Sequence, residues 1–378
     1  MISTPQTWIE ISKKALLHNL KMYKQTVTTG QLGVAVKSNA YGHGIIPVAQ
    51  ICQESEHTQW LCVATLSEAL LLRANNITKK ILVMYFLDSN PAYALSESIS
   101  LMVCDKQTLD ELNKIGISNN KAFKIHIKID SGMSRFGFDP KEAITIIKQA
   151  IRMPGIIIEG IYSHLAQAAN PDQTFNKEQE QVFLKVLNAL EEEKIIISYK
   201  HLANSAGSIS LSTTPTNLIR LGLGAYGWWP SQANQEVALN AFPNFQLKPV
   251  LTFKTRIAHI KELEANRFVG YDRTYKTTQP TRVAILPVGY YDGYDRRLSS
   301  KGILLIRGQY APVIGIIAMT TTLVDITHIP DAHVNDEVIL MGDYEKITPT
   351  QLANVIGSFN AREIMTRLNP LIPRIVVN

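Results

Sequence analysis

Apolar residues along this chain come in short runs of four to seven, set apart by polar stretches with helical spacing. A strand-like "TWIEI" opens it, and Ser12 stands where an N-cap belongs ahead of "KKALLHNLKMYKQ", whose apolar positions recur every three or four residues. A rhythm follows. The runs "LGVAV" (32–36), "WLCVAT" (60–65), "KILVMYF" (80–86), "ISLMVC" (99–104), "KIHIKI" (124–129), "IEGIYSH" (158–164), "YKHLA" (199–203) and "LIRLGLG" (218–224) read as eight strands. Helix-like segments such as "DPKEAITIIKQAI" and "KEQEQVFLKVLNALEEEK" separate several of them.

Strands alternating with helices make parallel βαβ units, and eight of them predict a closed (β/α)₈ barrel of the TIM type, with a doubly wound open sheet as the competing architecture. After "AFPNF" the texture changes to strand-rich sequence broken by Gly, Asp and Pro: "VGYYDGYDRR", "IRGQYAPVIGIIAMTTTLVDI", "DEVILMG". The expected organisation is a barrel domain over residues 1–243 and a mostly β domain over 244–378. No internal repeat or low-complexity segment interrupts this.

In such barrels the reacting groups lie where the strands end and the βα loops gather. Lys37 ends the first predicted strand. Lys128 and Asp130 end the fifth with Arg135 just beyond, His164 ends the sixth, Asn204 and Ser205 the seventh, and Arg220 with "GLG" the eighth. A lysine in an apolar, electropositive pocket loses its proton more readily and becomes a nucleophile for carbonyls. A strand-end lysine reaching solvent fits "AVK" equally well. The glycines and hydroxyls of "HLANSAGSI" and "RLGLGAYG" offer backbone N–H groups and side-chain donors to a phosphate, as loops after the last barrel strands do, although the same residue types make ordinary turns. With Lys37 they point to a phosphorylated carbonyl cofactor, for which pyridoxal 5′-phosphate is the economical choice. Arg135 has the forked geometry for a substrate carboxylate, and His164 reads either as a functional or as a packed strand-end histidine.

Composition narrows the partners. The 378 residues are 46% hydrophobic with a formal net charge of +6, ordinary for a globular chain. No dense Lys/Arg block of the nucleic-acid type occurs and no apolar run is long enough to span a bilayer, so a small molecule, not nucleic acid or membrane, is the expected partner. Three cysteines at positions 52, 62 and 104 form no CxxC and no zinc-like set with histidines. With "MISTPQTWIEISKK" lacking the features of a signal peptide, a reducing cytoplasm is expected, and no metal.

Taken in order, "AVKSNAYGHG", "HIKIDSGMSRFGF", "YSHLA", "HLANSAG", "RLGLGAYG" and "PVGYYDGYDRR" resemble alanine racemase, a pyridoxal-phosphate enzyme family of fold type III. The likeness runs from "TWIEIS" to "IPRIVVN". It implies a barrel, a β domain, and a head-to-tail homodimer in which each site is shared by two chains. Lys37 is then the Schiff-base lysine and the base on the D face of the substrate, and Tyr271 in "NRFVGYDRTY" is the base on the L face, reaching in from the partner. With an ordinary pKa near 10, a tyrosine base needs help from its surroundings. Tyr41, Ser205 and the backbone of Gly222 and Leu223 hold the phosphate, Asn204 lines that pocket, His164 lies against the pyridine ring, and Arg220 faces its nitrogen and keeps it unprotonated. Arg135 clamps the substrate carboxylate beside Lys128, a position often carbamylated in the family, and Tyr290 and Met319 complete the pocket from the other subunit.

The chain also departs from the family pattern. Thr320 stands where an acid usually follows Met319, and Arg362 aligns with the usual phosphate-binding tyrosine of the entrance. Ala169 and Ile316 replace an acidic and a basic entrance residue, while Arg296 keeps the other entrance arginine. The resemblance implies interconversion of L- and D-alanine, with D-alanine a cell-wall precursor in a bacterial source. The altered entrance leaves open a racemase for serine or larger amino acids. An amino-acid decarboxylase and a non-catalytic cofactor-binding protein are the readings from other classes, and both sit poorly with the presence of Tyr271 and its domain.

Overall fold

The computed structural model describes residues 5–27, 30–210, 215–358 and 360–378, and they fall into two compact units. The opening strand β1 (Thr7–Ser12) belongs to the sheet of the second unit.

The first unit takes Ala15–Ser38 and Val48–Lys248. Its strands are β2 (Gln31–Ala35), β3 (Thr58–Thr65), β4 (Lys80–Phe86), β5 (Ser100–Val103), β6 (Phe123–Lys128), β7 (Ile156–Tyr162), β8 (Tyr199–His201) and β9 (Leu218–Leu221). All pair in parallel, in the order β8-β7-β6-β5-β4-β3-β2-β9. The two ends of this sheet meet through backbone bonds from Asn217 N–H to the Lys200 carbonyl (2.9 Å) and from Arg220 N–H to the Ala203 carbonyl (3.1 Å). This is the expected (β/α)₈ barrel and not an open doubly wound sheet. The strands read as continuous apolar runs because both of their faces are covered: every residue of β5 and β9 is buried. The intervening helices bury one stripe, as in Pro140–Ile151, where Ala143, Ile146, Ile147 and Ala150 face inward and Asp139 caps the first turn by accepting from Lys141 N–H.

The second unit comprises β1, Asn39–Pro47 and Pro249–Asn378. Its strands are β10 (Leu251–Arg256), β11 (His259–Leu263), β12 (Phe268–Val269), β13 (Tyr275–Lys276), β14 (Thr281–Leu286), β15 (Ile303–Ile306), β16 (Gln309–Pro312), β17 (Thr322–Asp325), β18 (Glu337–Met341) and β19 (Arg374–Val377). A six-stranded sheet runs β16-β15-β18-β10-β1-β19, and a three-stranded sheet runs β11-β14-β17. β1 pairs antiparallel to β10, with Ile9 opposite Phe253, and parallel to β19. The strand-rich texture after residue 244 is thus a mostly β unit, as expected, with two short helices near its end (Pro349–Val355 and Ala361–Thr366).

Candidate active site

Lys37 follows β2 directly, and the backbone after it turns the wrong way for L-residues. Ser38, Asn39, Ala40 and Tyr41 have φ of 55°, 54°, 52° and 54°. Left-handed backbone of this kind costs roughly 1–2 kcal/mol per residue, so the surroundings must hold it. Asn39 accepts Ile45 N–H on Oδ1 and Gly44 N–H on its carbonyl. Buried His43 contacts the Ala40 and Tyr41 carbonyls through Nδ1, and Arg374 donates to the Gly42 carbonyl at 3.2 and 3.0 Å. Burial holds His43 down to a pKa of about 3, so the ring is neutral and Nδ1 is the proton donor.

The barrel rim gathers cations. Lys37 Nζ lies 4.8 Å from the centre of the Tyr85 ring, and Arg135 Nη2 donates to Tyr85 Oη at 3.2 Å. Lys128, at the end of β6, is buried with Nζ 4.5 Å above the Tyr162 ring, whose other contacts include Arg220 at 5.0 Å. Burial first, then the charges of Arg220 and Arg135, push the Lys128 pKa well below its ordinary value, so this amine gives up its proton more readily than a free lysine. The same causes, burial and then Arg220, Lys128, Arg135 and Lys37, hold His164 neutral. Among the described residues no carboxylate pairs with Lys37, Lys128, Arg135 or Arg220. Lys37, Arg135 and Arg220, basic side chains without an ion-pair partner among the described residues, suit an anionic ligand, while the charge of Asp130 acts on Lys128.

Arg220 is the most constrained of them. Buried at the end of β9, it donates Nη1 to His201 Nδ1 (2.5 Å) and Nη2 to the Ser163 carbonyl (2.7 Å), the Leu202 carbonyl (3.1 Å) and His164 Nδ1 (3.2 Å). A relay continues inward. His201 Nε2 meets His126 Nδ1 at 2.8 Å, His126 Nε2 meets Glu159 Oε2 at 3.4 Å, and Ser100 Oγ donates to the same oxygen at 2.5 Å. The two ends fix every proton: Arg220 can only donate and ionised Glu159 can only accept, so each ring carries its hydrogen on Nε2. Burial keeps both imidazoles neutral. Gly160 makes room for this, because a Cβ there would lie 2.3 Å from His126 Nδ1.

Beside the arginine, Ser205 Oγ accepts Gly222 N–H (2.9 Å) and Gly224 N–H (3.3 Å), while Asn204 Oδ1 accepts Ala206 N–H (3.1 Å) and Gly207 N–H (3.0 Å). A side chain at Gly224 is excluded, since its Cβ would fall 2.0 Å from the Tyr23 hydroxyl. The donor set fits pyridoxal phosphate. Leu223 N–H lies between the two amides that Ser205 holds, and the Arg220 Nε–H has no partner among the described residues to compete with a ring nitrogen. The barrel thus brings together Lys37, Lys128, Arg135, His164, Asn204, Ser205, Arg220, Gly222 and Leu223, while Tyr41 lies in the left-handed turn of the second unit.

The remaining predicted residues lie in the second unit. Tyr290 N–H donates to the Ala318 carbonyl (3.1 Å) and Tyr291 N–H to that of Met319 (2.9 Å), an approach that only a glycine at position 289 allows, a Cβ there falling 2.2 Å from the Ala318 oxygen. Gly270, which precedes Tyr271, packs against the backbone of Ile316. Tyr271, Tyr290 and Met319 therefore come from loops laid along one segment, residues 315–319, and they are 68%, 43% and 57% exposed. Thr320 is exposed beside Met319. Arg296 is exposed too, its carbonyl accepting from Ser299 Oγ, which in turn accepts Ile317 N–H. Arg362 is exposed on the helix Ala361–Thr366, its Nε donating to Asn360 Oδ1 (3.2 Å). Ala169, in the barrel unit, gives its carbonyl to Ser231 Oγ (2.6 Å).

Tyr85, Tyr162, His201, His126 and Glu159 were not singled out from the sequence. Tyr85 ends a predicted strand beside Phe86, and its place on that rim was the signal available. The two histidines sit inside strands, where an apolar run hides them.

Comparison with known proteins gives the family. The family model described as alanine racemase, N-terminal domain, matches residues 11–230, and that of the C-terminal domain matches residues 250–376. The alanine racemase of Clostridium tetani is 37% identical over 375 residues, 98% of this chain and 95% of the relative. That of Methanococcus maripaludis is 36% identical over 383 residues, covering 100% of both. Among solved structures, the alanine racemase of Clostridium difficile 630 superposes with a TM-score of 0.92 at 30% identity, over 99% of this chain and 96% of that one. The Bacillus anthracis alanine racemase with bound L-Ala-P gives 0.89 at 31%, over 100% of this chain and 96% of that one. With both domains matched and relatives this similar along the whole length, the chain belongs to the alanine racemase family.

Proposed function

We propose that this chain is a pyridoxal-phosphate-dependent isomerase that interconverts L-alanine and D-alanine by a two-base mechanism. One observation carries the reading: Lys37 and Arg135 both reach the ring of Tyr85 at the C-terminal rim of the barrel, and neither has an anionic partner among the described residues. An amine facing a guanidinium across one side chain is a layout for a small amino acid, held by a carbonyl chemistry at one end and by its carboxylate at the other.

Pyridoxal phosphate, when bound, supplies an electron sink that makes the α-hydrogen of an attached amino acid acidic. The chain's residues do the rest. Ser205 with the amides of Gly222 and Leu223, together with Asn204, Tyr41 and Arg362, would hold the phosphate. His164 would lie against the ring. Arg220, fixed as a donor by the relay behind it, would meet the ring nitrogen and keep it unprotonated, which limits side reactions such as transamination. Lys37 Nζ takes or returns the α-proton on the D face, and the partner subunit's Tyr271 does so through Oη on the L face, so that one proton is taken and another given per inversion. The exposure of Tyr271, Tyr290 and Met319 on one surface supports a homodimer in which they complete the partner's site. In this reading residues 1–243 hold the cofactor and 244–378 serve the partner subunit.

The buried amine of Lys128, its pKa well below that of a free lysine and Arg135 beside it, supports carbamylation by carbon dioxide: an N–C bond forms, one proton leaves, and the resulting anion orients the arginine. Free thiols at Cys52, Cys62 and Cys104 support a reducing cytoplasm, and no helix among the described residues is long and apolar enough to cross a membrane. In a bacterium the D-alanine would feed cell-wall synthesis.

The test is exchange of the α-proton in heavy water, with pyridoxal phosphate added, across a panel of L-amino acids, followed by chiral analysis of each product. L-alanine is expected to exchange and invert fastest. A preference for serine or a larger side chain would assign the altered positions Ala169, Ile316, Thr320 and Arg362 to a new specificity. Lys37→Ala should abolish exchange, and Tyr271→Phe should slow L-alanine far more than D-alanine; wild-type exchange of L-alanine by Tyr271→Phe would remove that tyrosine from its role.

A further inference from the structure

Tyr85 is assigned no part in the chemistry above, yet it touches two of the groups that have one. It stands one residue from the end of β4, on the rim. Arg135 makes its one side-chain hydrogen bond among the described residues to Tyr85 Oη (3.2 Å), and its guanidinium carbon sits 5.2 Å from the centre of the same ring. The loop carrying Arg135 is itself pinned, because Asp130 Oδ1 accepts Gly132 N–H (2.9 Å) and Ser134 N–H (3.1 Å). What those bonds leave undetermined is the direction of the long arginine side chain, and Tyr85 determines it.

The ring is buttressed in turn. Phe136 meets it edge-on at 5.7 Å and 73°, and Phe86 meets Phe136 at 5.9 Å and 80°. A phenol that accepts from a guanidinium still has its own hydrogen to give, and that hydrogen has no acceptor among the described residues. A carboxylate on Arg135 would thus find an N–H fork and an O–H donor side by side.

We propose that Tyr85 is a substrate-positioning residue, whose hydroxyl orients Arg135 and joins it in binding the carboxylate of the amino acid. The proposal rests on the reading of Arg135 as the carboxylate clamp. It assigns separate duties to the two parts of the side chain: the hydroxyl acts on carboxylate binding, and the ring, in contact with Lys37 Nζ as well as Arg135, fills the space between them.

The experiment compares wild type, Tyr85→Phe and Tyr85→Leu as full-length protein loaded with pyridoxal phosphate. The probe is propionate, an alanine without its amine, and its Kd is measured by calorimetry without turnover, alongside KM and kcat for L-alanine. Tyr85→Phe keeps the ring and is expected to weaken propionate by about ten- to a hundredfold, the usual effect of losing one hydrogen bond to a charged group, to raise the alanine KM by the same factor, and to leave kcat within about twofold. Tyr85→Leu should weaken propionate at least as much and lower kcat as well. An unchanged propionate Kd in Tyr85→Phe, or a fall in kcat with Kd and KM unaltered, overturns the proposal and makes Tyr85 a packing residue. Wild type that binds propionate but racemises no amino acid would overturn the proposed function instead, and the Tyr85→Phe comparison would still decide the role of the hydroxyl.

Discussion

Arg220 shows how one side chain can be set by others far from the rim. Its guanidinium is oriented by two carbonyls and two imidazoles, and the imidazole of His201 is itself fixed by His126 and Glu159. Losing His201 removes a charge-assisted bond in a buried place, a change of about 1.5–3 kcal/mol. His201→Leu is therefore expected to lower the unfolding free energy by that amount in urea titrations, and, with Arg220 released, to raise the ratio of transamination to racemisation in the loaded protein. Because the two rings share one bond, His126→Leu and His201→Leu should not add: a double-mutant cycle is expected to show coupling of about 0.5–3 kcal/mol. Additive effects would mean that the 2.8 Å contact contributes nothing. The sequence shows none of this, since "KIHIKI" and "YKHLA" display each histidine only as one polar letter in a strand.

At the level of elements, the strands were the most legible feature. A parallel strand covered on both faces must be apolar almost throughout, so each stood out as a run, and the observed ends differ from the predicted ones mainly where polar rim residues leave the ladder: β7 stops at Tyr162, before His164, and β9 at Leu221, before "GLG". The rim rule pointed to the ends of these strands, and Lys37 after β2, Lys128 at the end of β6 and Arg220 near the end of β9 lie there. The turn after Lys37 was not legible. "SNAYGHG" announces flexibility, but nothing in Ala40 or Tyr41 announces a left-handed backbone, which their Cβ atoms oppose. It is held from outside the turn, and Gly42 is the tightest point, because a Cβ there would lie 1.9 Å from the Met365 carbonyl oxygen at a φ of 87°. Gly42→Ala is expected to destabilise the protein by about 3 kcal/mol or more, by overpacking and strain together, and to reduce the yield of folded protein. Arg374→Met leaves the Gly42, Leu368, Asn369 and Ile372 carbonyls without their donor and should cost about 1–3 kcal/mol. Either variant with an unchanged urea midpoint would show that the turn needs no outside support.

For the whole molecule, the buried titratable groups tie stability to pH in one direction. His43, His126, His164 and His201 are neutral when folded, whereas in the unfolded chain each takes a proton near pH 6.5. The unfolded state then binds more protons, so stability is intact above about pH 6.5 and lost as pH falls below it, by up to about 1.4 kcal/mol per pH unit for each histidine. Lys128 follows the same sign at higher pH. Its pKa is lower in the folded than in the unfolded chain, so the unfolded state binds more protons, burial of the amine destabilises the fold below about pH 10.5, and that penalty shrinks as pH rises toward 10.5. The buried Lys128 amine is thus a stability cost in the folded chain. Lys128→Met, of similar volume and without the charge, is expected to raise the unfolding free energy of the cofactor-free protein at pH 7, with the gain declining by about 1.4 kcal/mol per pH unit as the comparison is moved toward pH 10. The same variant should weaken propionate binding through the loss of Arg135's neighbour. A gain that is constant with pH would mean that the thioether side chain simply packs better than the amine, and a loss at pH 7 would mean that the folded protein keeps the Lys128 amine charged and stabilised by a partner of its own.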